Sequence, residues 1–247
     1  MKTLYIDCSP KKRFCASAYF LALQRLFAGG ESVREKLRTP ADHARILEKF
    51  SDVQAVVFCL PLYVDGIPSH VLRFMKEAEN YCKANSLHIC VYAIANNGFI
   101  EGKQNEPLMQ QFERFCERAG LNWCGGVGIG GGVMLNVTRI LFMVDIVMLL
   151  INTAASVSAT GNFFPAEVWA DFCSNAALLL FFNAGVLFYL IRMGSFIRRH
   201  ADAGKRYTRI MIPSFVFILF ADIFFVIISF FEGGLFRGWL SKKEAGK

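Results

Sequence analysis

Residues 172 to 191, FCSNAALLLFFNAGVLFYLI, run for 20 positions without a charged side chain. Residues 210 to 231, IMIPSFVFILFADIFFVIISFF, run for 22 with Asp222 as their one charge. A transmembrane helix takes about 20 largely apolar residues, so each stretch is long enough to cross a bilayer. A soluble chain of 247 residues has little core in which to hide two such helices. A third stretch, 137 to 157, carries Arg139 and Asp145 and is the weaker candidate. It reads either as a span or as a helix covering a sheet.

The 54% hydrophobic content is therefore not spread evenly. Residues 1 to 135 hold 16 Lys/Arg and 13 Asp/Glu, as an ordinary water-soluble domain does. The solvent changes near the glycine run GGVGIGGG, 125 to 132. The division expected is a domain over 1–132 and a membrane region over 133–241, with two to three transmembrane helices near 137–157, 172–191 and 210–231.

The net charge of +7 is placed where a membrane explains it. Six basic residues lie between Arg192 and Arg209 against the single Asp202, flanked by apolar runs. That is the pattern of a loop on the cytoplasmic side of a membrane, not of a nucleic-acid-binding face. The start, MKTLYIDCSPKK, turns polar too early for a signal peptide. A multi-pass protein of the cell membrane is expected, its N-terminal domain in the cytoplasm. Three spans agree with the charge bias. Asn183 and Asp222, at similar depths, are expected to hydrogen-bond as structural glue. The eight cysteines show no C-x-x-C and no metal-ligand spacing, so free thiols in a reducing compartment are expected, and no metal.

Within 1–132 the pattern alternates between strand and helix. Strand-formers occupy 3–7, 32–37, 55–60, 87–95 and 122–130; helical spacing occupies 17–28, 39–52, 69–83 and 107–119. AVVFCL, 55 to 60, is apolar throughout, as a strand covered on both faces is. Short connections imply a doubly wound parallel α/β sheet of five strands in the order 2-1-3-4-5. Ligands bind such sheets beyond the carboxyl ends of the strands, where the order reverses.

Three loops leave the strands at that place. CSPKKRFCAS, 8 to 17, enters a helix; its amides, the hydroxyls of Ser9 and Ser17, and Lys11 and Lys12 suit an anion such as a terminal phosphate. It reads equally as a helix cap with solvated lysines. PLYVDGIPSH, 61 to 70, is stiffened by two prolines and carries Tyr63 as an aromatic face. Asp65 reads as a turn residue, and His70 as a capping or surface residue. NNGF, 96 to 99, closes from the other edge, or is a plain Asn-Gly turn.

Together these loops resemble those of the NAD(P)H-dependent FMN reductases, a flavodoxin-like family. CSPKKRFCASAYF resembles the family's phosphate loop GSPRK…NS, and PLYVDGIP its flavin-ring loop PLYVDxxP. Cys8 stands where the family has glycine, and Ala16 where it often has Asn. The resemblance covers about residues 1 to 132. It implies Ser9, Lys11, Lys12 and Ser17 at an FMN phosphate, with Pro61, Leu62, Tyr63 and Val64 along the isoalloxazine and Asn97 and Gly98 opposite. It implies NADPH or NADH as donor, a small-molecule acceptor or membrane redox partner, and a homodimer. No catalytic side chain is implied, because the cofactor carries hydride chemistry. Two alternatives stay open: a non-enzymatic flavodoxin-like electron carrier for a membrane partner, and a regulatory membrane module without flavin.

Overall fold

The computed structural model describes residues 2–11 and 15–231. The chain forms β1 (Lys2–Asp7), α1 (Ala16–Ala28), β2 (Glu31–Lys36), α2 (His43–Glu48), β3 (Ala55–Pro61), α3 (Ser69–Ala84) and β4 (Cys90–Asn96). It continues as α4 (Glu106–Ala119), β5 (Asn122–Gly130), α5 (Gly132–Thr160), α6 (Ala166–Arg199), β6 (Lys205–Arg209) and α7 (Ser214–Phe231). The helical pattern over 39–52 resolves into a 3-10 turn, the short α2 and a second 3-10 turn.

All strand pairs are parallel, in the order β2-β1-β3-β4-β5-β6. The first five strands keep the flavodoxin-type order, with the switch point between β1 and β3. The sixth strand corrects the expected count of five. It is Lys-Arg-Tyr-Thr-Arg, taken from the basic stretch expected to be a membrane-flanking loop. An edge strand tolerates such charges because one side of it faces solvent. Lys205 pairs with Glu113 at 2.6 Å, and the Tyr207 hydroxyl donates to Glu106, so α4 holds β6 in place. Glycines in β5 make room for it: a Cβ on Gly128 would lie 2.7 Å from the Tyr207 ring.

Helices cover both faces. On one, α2, α3 and α4 enclose Leu4, Ile6, Val56, Phe58, Phe74 and Phe112. There the Phe58 and Phe112 rings lie 5.2 Å apart. On the other, α1 packs beside the C-terminal part of α6, whose Val186, Leu190, Met193 and Ile197 are buried. Burying such side chains stabilises by about 1.5–3 kcal/mol each. Gly194 permits this contact, since a Cβ there would lie 2.8 Å from the Phe27 carbonyl carbon. The Arg198 guanidinium donates to the carbonyls of Phe27 and Ala28, both at 2.9 Å. It thereby satisfies two open acceptors at the C-terminal end of α1. The Tyr92 hydroxyl donates to Ala201 O at 2.9 Å, tying β4 to the turn after α6. The sheet face thus gets its cover from the end of α6, and not from residues 137–157.

This arrangement has a consequence for handedness. Steps β3 to β4, β4 to β5 and β5 to β6 all move the same way across the sheet. The first two use helices on the α3–α4 face, whereas the last returns along the α1 face. The β5-to-β6 connection therefore has the opposite hand. Right-handed crossovers dominate where one helix joins two strands directly. Here the chain first leaves the sheet as α5 and comes back as α6.

Both helices are long and apolar. No residue of the most apolar part of α5, within Val137–Thr160, is buried, and its exposed side chains include Ile140, Leu141, Met143, Val147 and Leu150. Helices of 29 and 34 residues reach about 43 and 50 Å at 1.5 Å per residue. Their polar groups satisfy one another: Asn175 donates to Asp145 at 3.4 Å, and Asn183 to Leu179 O at 2.7 Å and Thr138 at 3.5 Å. The Asn183 amide, expected to bond Asp222, is thus engaged within the α5–α6 pair. One compact unit runs from residue 1 through Met211. A second begins at Ile212 and contains α7, an uninterrupted apolar helix but for Asp222.

Candidate functional site

The C-terminal ends of β1, β3 and β4 bring the three loops together around a cavity of about 240 Å³. Its walls include Ser9, Lys11, Ser17, Pro61, Leu62, Tyr63, Asn97 and Gly98. Those are eight of the ten residues singled out from the sequence. Lys12 lies outside the described residues. Val64 does not line the cavity; it stands fully exposed at the loop tip.

The first loop is held from three sides. The Asp7 carboxylate, buried at the end of β1, accepts the Ser9 amide at 3.2 Å and the Arg34 guanidinium at 3.5 Å. Arg38 donates to Ser9 O at 3.3 Å and to Lys11 O at 2.6 Å. His70, at the start of α3, donates from Nε2 to Cys8 O at 3.0 Å. His70 is therefore a positioning residue of the loop. Helix α1 starts after Cys15, which makes no side-chain cap, and Cys15, Ala16 and Ser17 at this end of the helix line the cavity. The Ser17 hydroxyl accepts from Asn96 at 2.9 Å, which leaves its own hydrogen to donate.

Cys8, in the place of a family glycine, turns its side chain into the core under β1 and does not line the cavity. Burial, and next the Asp7 charge, push the Cys8 thiol well above the usual range. Burial does the same to Cys59, whose sulfur donates to Ser17 O at 3.0 Å. Neither is a thiolate nucleophile near neutral pH.

The second loop is a tight hairpin. Tyr63 and Gly66 exchange backbone hydrogen bonds of 3.2 and 3.0 Å around Val64 and Asp65. Both central residues have positive φ, 45° and 57°. Asp tolerates this conformation, but a β-branched Val there is strained. Gln111 of α4 pins the loop by accepting from Ile67 N at 3.2 Å. Tyr63 lines the cavity yet remains partly exposed, and Val64 and Phe99, which do not line it, are exposed as well.

The third loop places Asn97 against the wall. Its side-chain amide donates to Glu101 O at 3.0 Å, while its side-chain carbonyl is buried without a partner among the described residues. Gly132, the first residue of α5, completes the wall: a Cβ there would crowd Asn97 O at 3.0 Å. Cys15, Gly132 and the anchors Arg38 and Gln111 are not singled out from sequence, whereas Asn96 belongs to the third loop read there and His70 reads as a capping or surface residue. Gly131–Gly132 carries a local signal as the end of the glycine run.

No family model matches the chain, and no curated protein does. Solved structures that resemble it include the Trp repressor binding protein from Bacillus subtilis, 19% identical with a TM-score of 0.42 over 51% of this chain and 85% of that one. A flavodoxin, WrbA-like protein from Agrobacterium tumefaciens is 12% identical, with a TM-score of 0.42 over 49% of this chain and 75% of that one. An azoreductase from Bacillus anthracis is 13% identical, with a TM-score of 0.38 over 53% and 87%. Identities this low and TM-scores below 0.5 leave the fold assignment resting on the strand order itself.

Proposed function

We propose that the chain is a membrane-anchored FMN-dependent oxidoreductase that takes electrons from NADH or NADPH and passes them to a small or membrane-held acceptor. The observation that carries this reading is the convergence of the loops after β1, β3 and β4 on one cavity at the switch point, with Ser9, Lys11 and Ser17 among its walls and the Tyr63 hairpin beside them. The phosphate would lie among Ser9, Lys11, Ser17 and the first amides of α1, where positive dipole and hydroxyls favour an anion. Pro61, Leu62 and Tyr63 would flank the ring, with Asn97 and Gly98 opposite. When bound, FMN supplies hydride and electron transfer. The protein's own part is to fix the ring, keep its inner edge dry and hold the phosphate.

Membrane anchoring is supported by the unburied apolar surface of α5 and α6. The domain lies with the cytoplasmic ends of the spans, because the basic Arg192–Arg209 stretch is built into its own helix and sheet.

The test is the visible spectrum of the detergent-purified full chain, followed by NADH or NADPH addition without oxygen. Flavin bands that bleach promptly are expected. A chain that stays colourless after incubation with FMN rules the reading out. Bands that bleach with dithionite alone favour a carrier that docks a protein partner, a second reading supported by the exposed Tyr63, Val64 and Phe99 of the second and third loops.

A further inference from the structure

A larger cavity, about 520 Å³, lies between α1, α5 and α6, apart from the candidate flavin site. Thr138, Arg139 and Asn183 put polar groups into walls that are otherwise mostly apolar, with Leu135 and Val186 on the side of the sheet domain and Phe142, Met143 and Leu180 farther out along α5 and α6. The Arg139 guanidinium rests over the Tyr19 ring, 5.4 Å from its centre. It has no ion-pair partner among the described residues. The nearest acid along α5, Asp145, accepts from Asn175. Arg139 is also the last basic residue before Arg192, and the exposed apolar surface of α5 begins with the next residue, Ile140.

We propose that this cavity holds an anionic phosphoglyceride, its phosphate on Arg139 and an acyl chain along Phe142, Met143, Leu179 and Leu180. Charge complementarity selects the headgroup. A lone guanidinium where the helices leave the sheet is a ready phosphate ligand, and the cation–π contact fixes its plane without neutralising it. The apolar walls select the tail. From Arg139 to Ile146 the helix rises about 10 Å, which takes the cavity from headgroup level into the hydrocarbon layer. A volume of this size falls within the range of about 300–1,000 Å³ for small-molecule pockets. The inference rests on the membrane reading of α5 and α6. It places a lipid against the same helix, α1, whose first turn borders the flavin cavity.

The test uses the full chain in detergent micelles, with adducts counted by native mass spectrometry. Phosphatidylglycerol and phosphatidylcholine of identical acyl chains are the probes. The wild type is expected to retain phosphatidylglycerol about tenfold better, the worth of one charge-assisted contact. Arg139→Gln should erase the preference and Arg139→Lys keep part of it. Ala176→Phe, which fills the cavity, should reduce retention of both lipids. Circular dichroism identifies any variant that has not folded, and the comparison of the two lipids on wild type stands without variants. Equal retention by wild type, or a preference that survives in Arg139→Gln, overturns the proposal. Carbonate extraction of wild-type membranes is read separately. Release by carbonate means that the membrane reading has failed, and the lipid site with it. Resistance without lipid preference means that the lipid site alone has failed.

Discussion

The His70 imidazole donates to the Cys8 carbonyl oxygen across 3.0 Å, joining the start of α3 to the loop after β1. This contact sets the spacing between the two ends of the candidate site. His70→Ala should leave that carbonyl without its partner and loosen the loop. The net worth of such a bond is about 0.5–1.5 kcal/mol, so FMN affinity should fall by up to about tenfold. Quenching of flavin fluorescence on titration measures it. His70→Gln, which can still donate, should recover most of the loss; unchanged affinity in the alanine variant would deny His70 its positioning role.

Val64 carries strain that a different residue would not. Its φ of 45° with the side chain fully exposed means that neither packing nor propensity favours valine there. Val64→Asn should raise stability by about 1 kcal/mol, or about 2–4 °C in Tm for a unit of this size. Thermal unfolding in detergent checks the rise. A fall in Tm would mean that the valine makes stabilising contacts in the assembled protein.

Gly194 offers a test by sign. In an exposed helix Gly→Ala stabilises by about 0.5–1 kcal/mol. At this position the added Cβ meets the Phe27–Ala28 backbone at 2.8–2.9 Å. Gly194→Ala should instead cost about 1–3 kcal/mol, as overpacking does, and expose the α1 face to limited proteolysis. Stabilisation would mean that α6 does not dock where described.

Glu79 accepts from Lys83 at 2.9 Å and from Arg118 at 3.0 Å, linking α3 to α4. Those bonds hold its carboxyl below the usual 4.5. A carboxyl depressed in the folded state contributes stability above its unfolded value and loses it as pH falls through the folded one. Stability should therefore decline below about pH 4.5, and Glu79→Gln should flatten that decline. Both cationic partners are more than half exposed, so the contribution is under about 1 kcal/mol. Urea melts at stepped pH measure it; an unchanged slope would show that other carboxyls set the acid limit.

The strands and loops were legible in the sequence where a local pattern was also the structural cause. AVVFCL is apolar because both its faces are covered, and six of the seven residues of β3 are buried. PLYVDGIP is punctuated because it turns. The strand β6 was not legible. Three of its five residues are charged and it shows no apolar alternation, and its role depends on glycines some 80 positions earlier in β5. Arg38 and Gln111 were equally silent, and His70 read only as a capping or surface residue, since each anchors a loop through a contact 27 to 62 residues away. Cys8 departs from the family's glycine, and the sequence could not tell that its side chain turns into the core and away from the cavity.

The reversed step from β5 to β6 bears on how the protein comes into being. Strands β1 to β5 are complete once the ribosome has passed residue 130, yet the sheet still lacks its last strand and half the cover of one face. Those pieces arrive after some 70 residues have gone out along α5 and come back along α6. The return of the chain along α6 is thus an assembly step of the sheet domain itself. A head cut off at residue 132 would not be a smaller version of this protein but an unfinished one, with Tyr92, Phe20 and the α1 flank left bare.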